Sequence, residues 1–475
     1  MLSASVSFAA AEFIVLIDTS GSMKQTDPNN LRQPANRLVS QLLPNDAQAG
    51  VWLFDSEPQV LIPFEAVTTQ WQQRLAKSST QIHSRGQRTN IEAALRVAKA
   101  AFSANAERKT IFLLTDGQVD VAKDQRLNQA SRQAILQDLM PKLIDQNIQV
   151  HSIALSDAVD QDLLQRLAVG TKGHYDLAQS PDDLMRIYAN NLEQTLEQNR
   201  VPFVDNRFTL DASVNEYTLL VFRNNLSKPL QLRTPSGQTL TAEQSGASRW
   251  FSDPRFDLIT INSPEVGEWQ ITGELDPNNR VTVLSDLELV VKGLPNQLVH
   301  GQSADLEFYL ADANGPITAP SLLSLLEIQF TQTMLSDTPK SVTATVTSGD
   351  NGKVNIPSDG IFRAKLKRTL TPGEHEFIID INGKTFQRQQ QRRTKIFGQV
   401  LESRMSPGKT SLQPMVHFSP IQGLVDPSSL SVSTAVKNED GRIEPIPLTP
   451  DAYGVYSYTP APLERNSTRL NSSHA

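Results

Sequence analysis

The stretch Asp18-Thr19-Ser20-Gly21-Ser22-Met23 follows the apolar run Phe13-Ile14-Val15-Leu16-Ile17 without a break, and its reading decides the fold. Five consecutive apolar residues closed by a Gly-containing turn read as a strand buried on both faces. A carboxylate at the end of that strand, followed by two hydroxyls two residues apart, sets three hard oxygen groups at one rim of a sheet. Such a rim suits a small divalent cation. Two later pieces complete the set: Thr89 stands just before the helical pattern that starts at Ile91, and Asp116 just after Thr110-Ile111-Phe112-Leu113-Leu114.

From about residue 12 to 198, short apolar runs alternate with amphipathic helical patterns, the signature of a parallel sheet covered on both faces. Strands are expected at 13–17, 51–54, 60–64, 110–115, 150–155 and 174–177. Leu31, Ala35, Leu38, Val39 and Leu42 recur at helical spacing, as do Ile91, Ala94, Leu95, Ala98 and Phe102. Further helices are expected at about 127–145, 161–168 and 181–198, the last opened by Pro181-Asp182-Asp183. Asp55-Ser56-Glu57-Pro58 is too short for a helix, so the second and third strands form an antiparallel edge hairpin.

This order of elements, with the D-x-S-x-S turn, Thr89 and Asp116, resembles the von Willebrand factor A family, whose fold is a doubly wound, Rossmann-like α/β sheet. The resemblance implies a metal-ion-dependent adhesion site made of Asp18, Ser20, Ser22, Thr89 and Asp116. It further implies that Ser20, Ser22 and Thr89 touch the metal while Asp18 and Asp116 hold its waters and orient the hydroxyls. Neutral hydroxyl ligands leave a cation more of its charge than carboxylates do, so the ion would still attract a partner's Asp or Glu. Mg²⁺ suits a small octahedral oxygen site, with Mn²⁺ as a substitute. Asp27, Arg85, Arg88 and Asp120 flank these loops and are candidates for the rim.

After Arg200 the helical periodicity stops and short alternating strands appear between turns, so the rest reads as immunoglobulin-like β-sandwich modules. The expected division is 1–11 a signal-peptide remnant or disordered tail, 12–198 the α/β domain, 199–290 and 291–397 two sandwiches, and 398–466 a truncated repeat of the second. Residues 467–475 fit no element and read as a non-native tail. The stretch 415–430 echoes 308–322, and Gly454-Val455-Tyr456 echoes Gly360-Ile361-Phe362. The basic cluster Arg388, Arg392, Arg393 and Lys395 reads as a solvated link between modules.

The chain has 475 residues, which at about 150 per domain implies roughly three domains. Its net charge of -7 is spread along the chain, so no nucleic-acid partner is expected. No cysteine is present, which excludes thiolate chemistry and disulfides. The histidines are scattered without metal-ligand spacing, and no nucleophile elbow or phosphate-cradling glycine loop occurs, so no enzyme is expected. The functional expectation is therefore a metal-dependent protein-binding or adhesion module of the bacterial cell envelope. It would be exported, and the sequence leaves open a membrane anchor beyond residue 466. The alternatives are an intracellular assembly factor working with an ATPase, or a site filled by the chain itself as a structural metal site.

Overall fold

A computed structural model describes residues 11–459 except 224–228, 247, 274–275, 337, 346–355, 367–369, 408–413, 438–442 and 452–453. The expected signal remnant, apart from Ala11, and the expected non-native tail lie outside the described residues. The N-terminal domain is built on strands β1 (Ala11–Asp18), β2 (Gln48–Phe54), β3 (Pro58–Ala66), β4 (Arg108–Thr115), β5 (Ile148–Ala154) and β6 (Tyr175–Leu177). They lie in the order β3-β2-β1-β4-β5-β6, all parallel except β3, which returns antiparallel to β2 as the short turn requires. β1 pairs with both β2 and β4, so the chain order reverses at its C-terminal end. Ligands of open α/β sheets bind at such a reversal, and the hydroxyl turn sits there.

Helices cover both faces: α1 (Met23–Thr26), α2 (Arg32–Leu42), α3 (Thr69–Ser78), α4 (Ile91–Ala101), α5 (Gln125–Ala134), α6 (Met140–Asp145), α7 (Gln161–Gly170) and α8 (Pro181–Leu196). Phe13, Val15 and Ile17 of β1 face the α2/α3/α8 side, whereas Ile14 and Leu16 face the α4–α7 side. The single helix expected at 127–145 is interrupted by a wide π-type turn at Ile135–Leu139, just before Pro141. Proline lacks the N–H and crowds the preceding turn, and the widened turn accommodates it. Helix α3 escapes the periodicity reading because only Trp71 and Leu75 anchor it, with Gln72 as the third buried residue.

Beyond residue 198 all described sheets are antiparallel, apart from the parallel pairing of Gln297–Val299 with Gln387–Phe397. A four-stranded sheet (Arg207–Leu210, Gln231–Arg233, Thr239–Leu240, Gly267–Thr272) and the strands Val214–Phe222, Phe256–Asn262 and Arg280–Ser285 enclose a core of Phe208, Tyr217, Leu219 and Trp269. Glu288–Lys292, Ala304–Asp312 and Phe362–Leu366 pack with Glu327–Leu335 and Gly373–Asn382 around Phe308, Leu310, Phe377 and Ile379. The expected boundary at 290 falls inside strand Glu288–Lys292. The two modules also share one sheet of ten described strands, bridged where Asn199–Val201 pairs with Arg280–Ser285 and, through Arg200, with Gln389. In the last module, Leu401–Pro407, Pro414–Pro420 and Tyr456–Tyr458 repeat the order of Glu288–Lys292, Ala304–Asp312 and Phe362–Leu366.

The β modules dock on the flank of the α/β domain. Leu220, Phe222, Phe256 and Leu258 join the core formed by Leu38, Val39, Leu184 and Tyr188. Ion pairs Arg37–Asp253 (2.6 Å), Arg186–Asp276 (2.8 Å) and Arg255–Asp182 (3.0 Å) surround this contact. The last module touches α7 through Arg166–Glu402 and through Gly423, where a Cβ would stand 2.4 Å from the Gly170 carbonyl oxygen. The basic cluster corrects the expectation of a solvated link. Arg388 and Arg392 are buried, and Arg388 pairs with Asp211 (2.7 Å) and Arg393 with Asp176 (2.8 Å). Among the described residues no helix is long and apolar enough to cross a membrane.

Candidate metal-ion site

Strand β1 delivers Asp18 to the sheet rim with its side chain fully buried. Its Oδ1 accepts the Ser20 backbone N–H (2.8 Å), which folds the turn back on itself. Its Oδ2 accepts the Thr115 hydroxyl (2.5 Å) from the end of β4. The Ser20 and Ser22 hydroxyls are 3.0 Å apart, and Ser22 donates to Asp116 Oδ1 (2.9 Å). Thr26 of α1 donates to the other Asp116 oxygen. Asp18, Ser20, Ser22 and Asp116 thus form one connected polar cluster. Ser22 is exposed while the other three are buried, so the cluster opens to solvent at Ser22.

The second loop is tied in by its backbone. Gly86 donates its N–H to the Thr19 carbonyl (2.9 Å), and a Cβ at Gly86 would fall 2.2 Å from Asp55 Cβ, so the close approach requires glycine. Thr89 exchanges backbone hydrogen bonds with Asp120 (2.9 and 3.1 Å). A Cβ on Gly117 would lie 3.2 Å from Thr89 Oγ1, which places that hydroxyl against the Asp116–Gly117 turn. Asn90 caps α4 by accepting from Ala93 N–H (3.1 Å), fixing the helix start beside Thr89.

Of the rim candidates, Asp120 is bound to Arg88 (2.7 Å), and Arg85 is exposed beside the loop. Asp27 is corrected from rim to foundation. It is buried, accepts the Leu31 N–H (2.6 Å) at the start of α2 and pairs with Arg32 Nε (2.6 Å). Arg32 itself is the residue the sequence reading missed. Its buried guanidinium also donates to the Asp18 carbonyl (2.6 Å) and the Ser84 hydroxyl (2.8 Å), bracing the first loop against the second from below. Thr115 and Thr26 were missed as well. Their only signal was adjacency, Thr115 to Asp116 and Thr26 to the turn.

The residues present fit a small hard cation. Burial pushes the Asp18 carboxyl up to about 6, against the lowering effect of the Thr115 and Ser20 hydrogen bonds and with a further push from Asp116. A buried carboxylate in that state is stabilised by a positive charge. An octahedron with bonds of about 2.0–2.1 Å has an edge of about 2.9 Å. The spacing of 3.0 Å between the serine hydroxyls matches that edge. Among the described residues no three His, Cys, Asp or Glu side chains converge, so the donors here are hydroxyls backed by two carboxylates.

Residues 12–190 match the von Willebrand factor type A domain family. Solved structures similar to this chain include a von Willebrand factor type A protein from Catenulispora acidiphila (15% identity, 65% of this chain and 64% of that one, TM-score 0.34). Others are the ArnB paralog VWA2 from Sulfolobus acidocaldarius (14% identity, 71% and 65%, TM-score 0.29) and mussel-byssus proximal thread matrix protein 1 with a zinc-occupied MIDAS motif (17% identity, 41% and 50%, TM-score 0.30). The chain spans 64% of the length of the Catenulispora protein. No curated protein sequence matches it.

Proposed function

We propose that the von Willebrand factor A domain of residues 12–190 works as a metal-dependent protein-binding module, in which Asp18, Ser20, Ser22, Thr89 and Asp116 hold Mg²⁺ or Mn²⁺. When bound, the ion supplies an electrophilic centre for an oxygen of a partner's Asp or Glu side chain. The observation that carries the reading is the cluster of Asp18, Ser20, Ser22 and Asp116, sealed below by Arg32 and open to solvent at Ser22. Ser20 and Ser22 present neutral oxygens. Asp18, fixed by the Ser20 N–H and the Thr115 hydroxyl, supplies the buried negative charge that would retain the ion. Asp116 orients Ser22. The carboxylates of Asp116 and Asp18 accept from the Ser22 and Thr115 hydroxyls and so orient them, and the proposed role is binding without catalysis.

The test is a calorimetric titration of Mg²⁺ into the full chain and into Asp18→Ala. One Mg²⁺ is expected to bind the parent chain, with affinity about 10–100-fold lower in the variant while circular dichroism stays the same. Equal affinity in both, or binding in neither, overturns the metal reading. The proposal extends to an exported protein of the bacterial cell envelope, supported by the small, apolar stretch that precedes Glu12. Fractionation of cells carrying the natural gene tests this part, and recovery in the cytosol overturns it.

A further inference from the structure

The contact between the α/β domain and the second sandwich module is organised by one side-chain amide. Gln194, on α8, accepts the Arg393 backbone N–H through Oε1 (3.1 Å). Through Nε2 it donates to the Arg393 carbonyl (3.0 Å) and to Asn296 Oδ1 (2.8 Å). It therefore pairs with strand Gln387–Phe397 much as a neighbouring strand would, and these bonds fix which end of the amide is nitrogen. Asn296 in turn donates to the Lys172 carbonyl (2.9 Å), and Gln297 to the Gly173 carbonyl (3.3 Å). Lys172 and Gly173 thus hold the second module directly, and the next residue, His174, is buried.

His174 Nε2 stands 2.9 Å from the same Gln194 Nε2. An amide nitrogen is a donor only, so His174 Nε2 is the unprotonated nitrogen of the ring. A proton added there would set N–H against N–H, and turning the amide over would break both bonds to Arg393. The charged groups around the ring do not relieve this conflict. On β6, the Asp176 carboxylate is already held by Arg393 (2.8 and 3.2 Å) and Asn191 (3.0 Å). Strand Gln387–Phe397 brings two cations, Arg393 and Lys395, the second paired with Glu374 (3.1 Å). On β5, His151 stacks on the ring at 5.5 Å, and its Nδ1 accepts the His174 backbone N–H (3.2 Å). Burial first, then the Arg393 and His151 charges, favour the neutral form of His174.

We propose that His174 and Gln194 form an acid-sensitive latch, in which protonation of His174 opens the contact between α8 and strand Gln387–Phe397 without unfolding either unit. Once the contact opens, water accepts from the Nε2–H, so the open state takes up the proton that the closed state excludes. An ordinary imidazole protonates near pH 6.5, so lowering the pH from 8 to 5 favours the open state by about 30-fold. His151 is not the sensor, because both its ring nitrogens face groups of the α/β domain itself, the His174 N–H and the Thr195 hydroxyl. The latch is separate from the Asp18 cluster and does not depend on a metal.

Amide hydrogen exchange of the full chain tests this, each rate being divided by the intrinsic rate at its pH. The Arg393 amide is expected to exchange about 30-fold faster at pH 5 than at pH 8 on that scale, while amides of β1 and β4 keep their protection. His174→Gln takes up no proton and is expected to remove this pH dependence. Gln194→Glu offers the protonated ring a carboxylate oxygen, and is expected to leave Arg393 no less protected at pH 5 than at pH 8. Arg393 exchange independent of pH in the parent chain, an undiminished rise in His174→Gln or Gln194→Glu, or an equal rise in the β1 amides overturns the proposal.

Discussion

Asp18 and Asp176 are two buried aspartates of the same six-stranded sheet, at the ends of β1 and in β6, and the protein treats them in opposite ways. Burial raises Asp18 to about 6, because its partners are a threonine hydroxyl and a backbone N–H. Burial would raise Asp176 too. There the Arg393 guanidinium, gripping both oxygens (2.8 and 3.2 Å), and the Asn191 amide (3.0 Å) bring the carboxyl down to about 2. One carboxylate has been given an internal cation by a neighbouring module, and the other has only neutral donors. The first arrangement closes on itself and serves as domain glue. The second leaves a charge to be matched from outside, which is what a metal site requires.

The strongest way to break this contrast is to remove the internal cation. Arg393→Met leaves Asp176 buried and unpaired and is expected to destabilise the chain by about 3–5 kcal/mol, read as a fall in the denaturation midpoint. Mg²⁺ affinity should be unchanged. Loss of Mg²⁺ binding in Arg393→Met as large as that in Asp18→Ala would show that the two aspartates belong to one coupled system.

Acid offers the next largest effect. His151 and His174 stack beside this interface, with ring centroids 5.5 Å apart. Burial drives His151 down to about 4, with a further push from Arg393, and drives His174 well below its ordinary value. Both imidazoles are thus held neutral in the folded chain, while the unfolded chain takes up protons near pH 6.5. The unfolded state binds more protons below that pH, so stability is full above about 6.5 and is lost as pH falls toward about 4. His151 alone accounts for roughly 3 kcal/mol over this window. Thermal midpoints at pH 7 and pH 5 measure it, and a larger drop is expected in Asp18→Ala, because the raised Asp18 carboxyl takes up a proton in the folded parent over this range and partly offsets the loss. A midpoint independent of pH between 7 and 5 would mean that the histidines are not held neutral by the fold.

The two aspartates were also unequally legible in the sequence. Asp18, Ser20, Ser22, Thr89 and Asp116 could be named because each stands at a strand end or helix start that the local pattern marks. The residues that brace them act across distance: Arg32 reaches Ser84, and Thr115 reaches Asp18. No local period encodes such contacts. The strands and their antiparallel edge were readable from apolar runs and turn length, whereas α3 hid behind a stripe only two apolar residues wide. The Arg388–Lys395 segment was misread for a related reason. Arg388, Gln390, Arg392, Thr394 and Ile396 alternate inward along one strand, a clean period of two written mostly in polar residues. Hydropathy patterning equates polar with solvated, and here the inward face meets the polar flank of another module.

The smallest expected effect concerns the rim itself. Arg88 pairs with Asp120 beside Thr89, a charged contact that resembles Arg393–Asp176 in chemistry, but its side chains are 26% and 40% exposed. Solvent screening limits such a pair to about 0–1 kcal/mol, and the backbone bridge between Thr89 and Asp120 holds the loop without it. Arg88→Ala should therefore shift the thermal midpoint only slightly and leave Mg²⁺ affinity within about twofold, a difference well under 1 kcal/mol. Calorimetric titration of the variant measures this. A loss of Mg²⁺ binding as large as that of Asp18→Ala would show that the Thr89 loop depends on an internal cation, and would place the rim with Asp176 on the closed side of the contrast.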